Sequence, residues 1–116
     1  MQKKQKNQYA QAVQNCHELL IWLIHHLDKF PRARRYTLGA HLENRLLEIL
    51  ECLVDAAYSR QKTAPLKQAN KHLEICRHLW RIALELRLIS MKSYEHGILQ
   101  MDNIGRQIGG WIRSCQ

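Results

Sequence analysis

Lys67, Lys71, Arg77, His78 and Arg81 are the residues whose spacing most plainly suits a chemical task. On a helix they fall within roughly a third of the circumference. A stripe of Lys and Arg offers cationic donors to phosphate oxygens, the chemistry that a nucleic-acid backbone demands. Glu74 and Glu85 share the same arc, each four residues from His78 or Arg81. The stripe is therefore also readable as a solvated face that neutralises part of its own charge. Repeated by symmetry around a ring, it becomes a strongly positive surface. Arg32, Arg34 and Arg35 form a second cluster beside Tyr36, in a break marked by Pro31. There a loop backbone can adapt to phosphates and the phenol ring can stack on a base. The plain alternative is an ordinary exposed turn.

Catalytic constellations are missing from the sequence. It holds no P-loop, no nucleophile elbow, no HExxH pair and no dinucleotide fingerprint. Glu48, Glu51 and Asp55 share one helical face, but no histidine stands at the Glu-x-x-His spacing of a di-metal carboxylate site. Cys16, Cys52, Cys76 and Cys115 fall one per predicted helix, with no CxxC pair and no zinc-like Cys/His spacing. Their apolar neighbours mark them as buried free thiols. The histidines are dispersed, and the adjacent His25 and His26 point about 100° apart, which suits a boundary better than a shared metal. Asp102 and Asn103 read as solvent-facing helix residues. The chain is expected to be no enzyme and to carry no cofactor and no metal.

Cations at these positions need elements to hold them. Ile104, Ile108, Trp111 and Ile112 recur at helical spacing, yet Gly105, Gly109 and Gly110 interrupt the pattern at about 1 kcal/mol each relative to Ala. Gly105 and Gly109 lie four apart on one face. Such losses point to another helix packed on a glycine-lined groove, with Trp111 filling the space beside it; a glycine-frayed terminal helix is the alternative.

With 116 residues, 46% of them hydrophobic, and Pro31 and Pro65 as the only prolines, the composition favours a single helical domain. Residues 1–8 read as a basic polar extension and 9–116 as the bundle. The first helix runs from about Tyr9 to Lys29 and stops at Phe30-Pro31. Thr37 caps a second helix that continues to about Arg60. Pro65 opens a third, to about Leu88, and Ser90 caps a fourth, from about Met91 to Arg113. Short connections between helices of similar length imply an all-α, antiparallel up-down four-helix bundle.

The apolar faces are wider than such a bundle needs. On the second helix Leu38, Leu42, Leu46, Ile49, Leu50, Leu53, Val54 and Ala57 cover more than half the circumference. The third carries one row at Leu66, Ala69, Leu73, Cys76, Trp80 and Ala83, and another at Ile75, Leu79, Ile82 and Leu86. The second row suggests burial against another subunit. A net charge of +8 attracts polyanions and opposes self-association unless it is neutralised. No apolar run approaches the ~18 to 20 residues needed to span a bilayer, and the Lys3, Lys4 and Lys6 stretch lacks the apolar core of a secretion signal. A cytoplasmic protein without a membrane partner is expected.

Particular residues carry a family resemblance: Arg77-His78-Leu79-Trp80-Arg81-Ile82-Ala83, then Leu86, Leu88-Ile89-Ser90 and Tyr94-Glu95. The segment Ile104-Gly105-Arg106-Gln107-Ile108-Gly109-Gly110-Trp111-Ile112 adds most, and Phe30-Pro31-Arg32 looks like the family's first turn. From about Leu20 to Ser114 the chain resembles the accessory variability determinant proteins of diversity-generating retroelements. The resemblance implies a four-helix bundle assembled into a homopentameric barrel with a basic surface. It also implies a non-enzyme that binds the element's reverse transcriptase and RNA or DNA, supporting mutagenic retrohoming through copying of template-repeat RNA into cDNA.

Carried onto this chain, Arg77 and Arg81 match as nucleic-acid-binding positions. Arg106 matches as well, with a cross-subunit ion pair as its alternative role. Gly105, Gly109, Gly110 and Trp111 are assigned to packing. Lys67, Lys71, Arg32, Arg34 and Arg35 join the nucleic-acid set from charge geometry alone. A sister family, encoded in intervening sequences of large-subunit ribosomal RNA genes, is similar in fold and would make the chain a scaffold without a dedicated nucleic-acid role. The basic balance and the Ile-Gly-Arg…Gly-Gly-Trp ending favour the retroelement group.

Overall fold

Four long helices satisfy the apolar spacing: α1 (Gln2–Leu27), α2 (Ala40–Tyr58), α3 (Thr63–Glu85) and α4 (Met91–Ser114). The computed structural model describes residues 2–115, and side chains at position 9 and from position 11 onward. No strand occurs among the described residues. Each helix packs on the next, and α1 also packs on α4, which closes the bundle. Cross-helix pairs run in opposite numerical order. Arg77 reaches Asp102 while Trp80 reaches Tyr94, and Tyr9 lies against Trp111 while Trp22 lies against His96. Neighbouring helices are therefore antiparallel, in a body of 46 × 23 × 19 Å.

The first apolar row of α3 is the core row: Leu66, Ala69, Leu73, Cys76, Trp80 and Ala83 are all fully buried. Leu42, Leu46, Ile49, Leu53 and Ala56 face it from α2, and Ala12, Cys16, Leu19, Leu23 and Leu27 from α1. The second row of α3 stays half out. Ile75 and Leu79 are half-buried, and Ile82 and Leu86 are exposed. Among the described residues no helix is long and apolar enough to cross a membrane.

The connections follow local chemistry. After α1 ends, Pro31 precedes a short helical turn, Arg32–Arg34, which widens into the π-helical Arg35–Gly39 and runs straight into α2. Thr37 is consequently no N-cap: its hydroxyl donates to the carbonyl of Ala33 at 3.1 Å. A chain already helical on both sides leaves no orphan N–H groups there for a cap to satisfy. At the other end of α2, Lys62 Nζ donates to the carbonyls of Ala56, Ala57 and Ser59 at 2.8, 3.2 and 3.1 Å. Ser90 does cap α4, accepting from the Ser93 N–H at 3.1 Å. The α3–α4 turn places Arg87 at φ 60°, with the Leu88 N–H donating to the carbonyl of Ala83. This is the left-handed residue of a helix-ending turn, a position glycine usually takes.

Candidate nucleic-acid interface

The basic stripe separates into free and engaged cations once α3 is packed. Lys67 and Lys71 are exposed and make no ion pair among the described residues. Arg81 is equally exposed and lies 3.4 Å from Glu85, as its spacing predicts, and His78 lies 3.6 Å from Glu74. Exposed pairs of this kind contribute about 0 to 1 kcal/mol. A phosphate oxygen can therefore replace the carboxylate at little cost.

Arg77 is different. Its Nε donates to Asp102 Oδ1 at 3.0 Å and its Nη1 to Glu74 Oε2 at 2.9 Å. The guanidinium crosses from α3 to α4 and lies over Gly105, where an added Cβ would come within 2.8 Å of Nη2. Asp102 is thus an ion-pair partner as well as a surface residue. Arg77→Ala is expected to lower the stability of the bundle by about 1 to 2 kcal/mol, the loss of a charge-assisted bridge that is only partly solvated. A urea titration monitored by circular dichroism checks this, and an unshifted midpoint would remove the bridge from the account.

The loop cluster divides in the same manner. The Arg32 and Arg34 side chains are exposed and unpaired among the described residues, and Tyr36 is 73% exposed. Arg35 sits between Asp28 and Glu43, 3.4 Å from each. This cluster lies in the connection between α1 and α2, at the end of the bundle where α3 also terminates. Lys67 and Lys71 lie toward the opposite end of α3. Arg106 is exposed on α4, with no acidic partner within the described residues.

Of the glycines in α4, Gly105 has α3 against it, through Leu73 and Arg77, whereas the contact at Gly109 is Arg113 of its own helix at 3.4 Å. Trp111 is buried and meets Tyr9 edge-on, with ring centroids 5.8 Å apart. The tightest approach is at Gly97, outside the Gly105–Gly110 segment that spacing singles out. A Cβ there would stand 2.5 Å from Trp80 Nε1 and 3.3 Å from Trp22 Cζ3. Trp22, His26, Trp80 and His96 form one ring cluster around it, with neighbouring centroids 4.1 to 6.3 Å apart. Trp80 Nε1 donates to the carbonyl of Tyr94 at 3.1 Å. A glycine in the first half of an otherwise ordinary amphipathic helix was the available signal.

The acidic face of α2 also contributes a contact that spacing did not reveal. Glu48 Oε2 lies 3.1 Å from Nδ1 of the buried His72, which is itself 2.9 Å from Arg45 Nη1. Glu51 and Asp55 remain exposed, and no group of side chains suited to a metal ion occurs among the described residues. The four cysteines are free. Cys16 and Cys76 are buried, and burial pushes both thiols up to about 12.

A family model described as bAvd-like matches residues 10–115. Among proteins of curated function, none matches the chain. The matched span holds the whole of α2, α3 and α4 and most of α1, with the basic stripe, the Arg77 bridge and the ring cluster inside it. The chain therefore belongs to the bAvd-like family, that of the accessory variability determinant proteins.

Proposed function

We propose that this chain is the nucleic-acid-binding accessory protein of a diversity-generating retroelement. In this reading it is non-catalytic and works in the cytoplasm with the element's reverse transcriptase and template RNA or cDNA during mutagenic retrohoming. The observation that carries the proposal is the face of α3 on which Lys67, Lys71 and Arg81 are exposed and either unpaired or weakly paired. The excess of +8 charges acts in the same direction. The half-exposed row Ile75, Leu79, Ile82 and Leu86 supports self-association, which the family resemblance sets at a homopentamer. In such a ring the α3 faces add into one positive surface.

Contacts made through these cations are electrostatic and read no base by themselves, so their signature is salt dependence. Replacing Lys67, Lys71 and Arg81 together by Ala is expected to weaken binding of single-stranded oligonucleotides and to reduce the slope of log affinity against log salt by about 2. The fold should be kept, because none of the three is buried. Arg77 is excluded from this variant because its loss would mix stability with binding. An unchanged slope would instead favour the scaffold role of the ribosomal-RNA intervening-sequence relatives. Co-purification with the reverse transcriptase, with and without RNA, tests the partner directly.

A further inference from the structure

A cavity of about 330 Å³ opens between α1 and α4, away from the α3 stripe, and is lined by Asn15, Glu18, Trp22, Gln100 and Asn103. We propose that it accepts the base of a nucleotide, with Arg106 beside it to meet the phosphate. The volume is at the lower end of small-molecule sites. The lining carries one carboxylate, three carboxamides and one indole, and no cation. It therefore disfavours a phosphate or carboxylate inside, and it is too polar for a lipid chain.

The donors and acceptors are available. The Asn15 and Asn103 side chains make no hydrogen bond among the described residues, and Glu18 uses only Oε1, accepting from Gln14 at 3.0 Å. Asn15 and Asn103 each present a donor and an acceptor, Gln100 keeps its oxygen while its amide nitrogen is engaged by His96 Nε2, and the carboxylate only accepts. A planar base with an exocyclic amine matches that set: the amine donates to Glu18, and its mixed edge meets the amides. Uracil lacks the amine and sets carbonyl oxygens against the carboxylate.

The wall is built in advance. Trp22 is held by His26, His96 and Trp80 at ring-centroid distances of 4.1, 4.7 and 5.8 Å, so little order has to be created on binding. Arg106 follows Asn103 by three residues and so neighbours it on the surface of α4. It is exposed and unpaired among the described residues, a cation at the rim of a cavity that has none inside.

Placing a strand's base in the cavity rests on the nucleic-acid reading above; a free nucleotide carries the same chemistry, and the experiment separates the two. Fluorescein-labelled oligocytidylate and oligouridylate of equal length are titrated with the full chain at one salt concentration, alongside cytidine monophosphate alone. Oligocytidylate is expected to bind about tenfold tighter, the size of one charge-assisted hydrogen bond. The Glu18→Gln, Asn103→Ala variant should erase that preference, by weakening oligocytidylate and relieving the repulsion on uracil, while the salt slope of oligouridylate binding stays unchanged because no cation is removed. Binding of cytidine monophosphate that depends on Glu18, without any oligonucleotide binding, supports the cavity as a free-nucleotide site while the nucleic-acid reading fails. Equal affinities in the native chain, or a preference that survives in the variant, overturn the cavity even if salt-dependent binding persists.

Discussion

Gly97→Ala is expected to destabilise the bundle by about 2 to 3 kcal/mol, although alanine is the better helix former by about 1 kcal/mol. The added methyl would stand 2.5 Å from Trp80 Nε1 and 2.9 Å from its Cε2. That ring cannot step aside. It is fully buried, its N–H is committed to the carbonyl of Tyr94, and Trp22 lies edge-on against it. The other glycines of α4 make the contrast. At Gly105 the nearest atom is the tip of the Arg77 side chain at 2.8 Å, so the methyl would loosen the bridge to Asp102, and that loss offsets the helix-propensity gain of about 1 kcal/mol, leaving Gly105→Ala close to neutral. At Gly109 the contact is 3.4 Å, to Arg113 Nη1, and Gly109→Ala should gain about 0.5 to 1 kcal/mol from helix propensity. Urea midpoints measured on the three variants give the order directly. A Gly97→Ala midpoint equal to the native one would mean that the ring cluster repacks freely.

Stability is expected to fall steeply as pH rises from about 9 toward 12. Burial pushes the Cys16 and Cys76 thiols from the ordinary value of 9.0 to about 12. Below 9 both the folded and unfolded chains hold these protons, so the thiols add no pH dependence. Between the two values the unfolded chain releases them and the folded chain does not, so unfolding becomes easier with each step in pH. The slope approaches about −3 kcal/mol per pH unit while both thiols are protonated only in the folded chain, and the integrated loss is several kcal/mol. Against a typical total of about 5 to 15 kcal/mol, that loss is enough to unfold the chain in alkali. Cys52 contributes in the same direction but less, through partial burial first and the Asp55 charge second. Unfolding free energies measured from pH 8 to 11 should show a slope that is halved in Cys76→Ala and mostly lost when Cys16→Ala is added. A slope unchanged in the double variant would assign the alkaline loss to other groups.

Much of the architecture was readable because it depends on local rules. The row from Leu66 to Ala83 is buried residue for residue, since a period of 3.6 leaves that arc of α3 no other way to escape water. Ser90 caps α4 and Pro65 lies in the first turn of α3 for equally local reasons. The family was also legible: the resemblance read from about Leu20 to Ser114 falls inside the matched span of 10–115. Local rules failed at Thr37, where a π-helical turn carries the chain into α2 without a break.

Residue order and type suffice for the set of helices, the arc of each that must be buried, and the excess of cations available for a polyanion. Which of those cations are free depends on how the helices dock. Arg77 and Arg81 are alike in type and share one stripe, yet Asp102, 25 residues from Arg77 along the chain, lies 3.0 Å from it and turns it into a strut. The same holds for the glycines. Gly105 and Gly109 looked costly together, but the approach that forbids a side chain is at Gly97, because Trp80 and Trp22 converge there from two other helices. Periodicity assigns a residue to a face. Which partner meets that face is set by the docking of helices far apart in sequence, where an ångström separates a free cation from a bridge and a tolerated methyl from a clash.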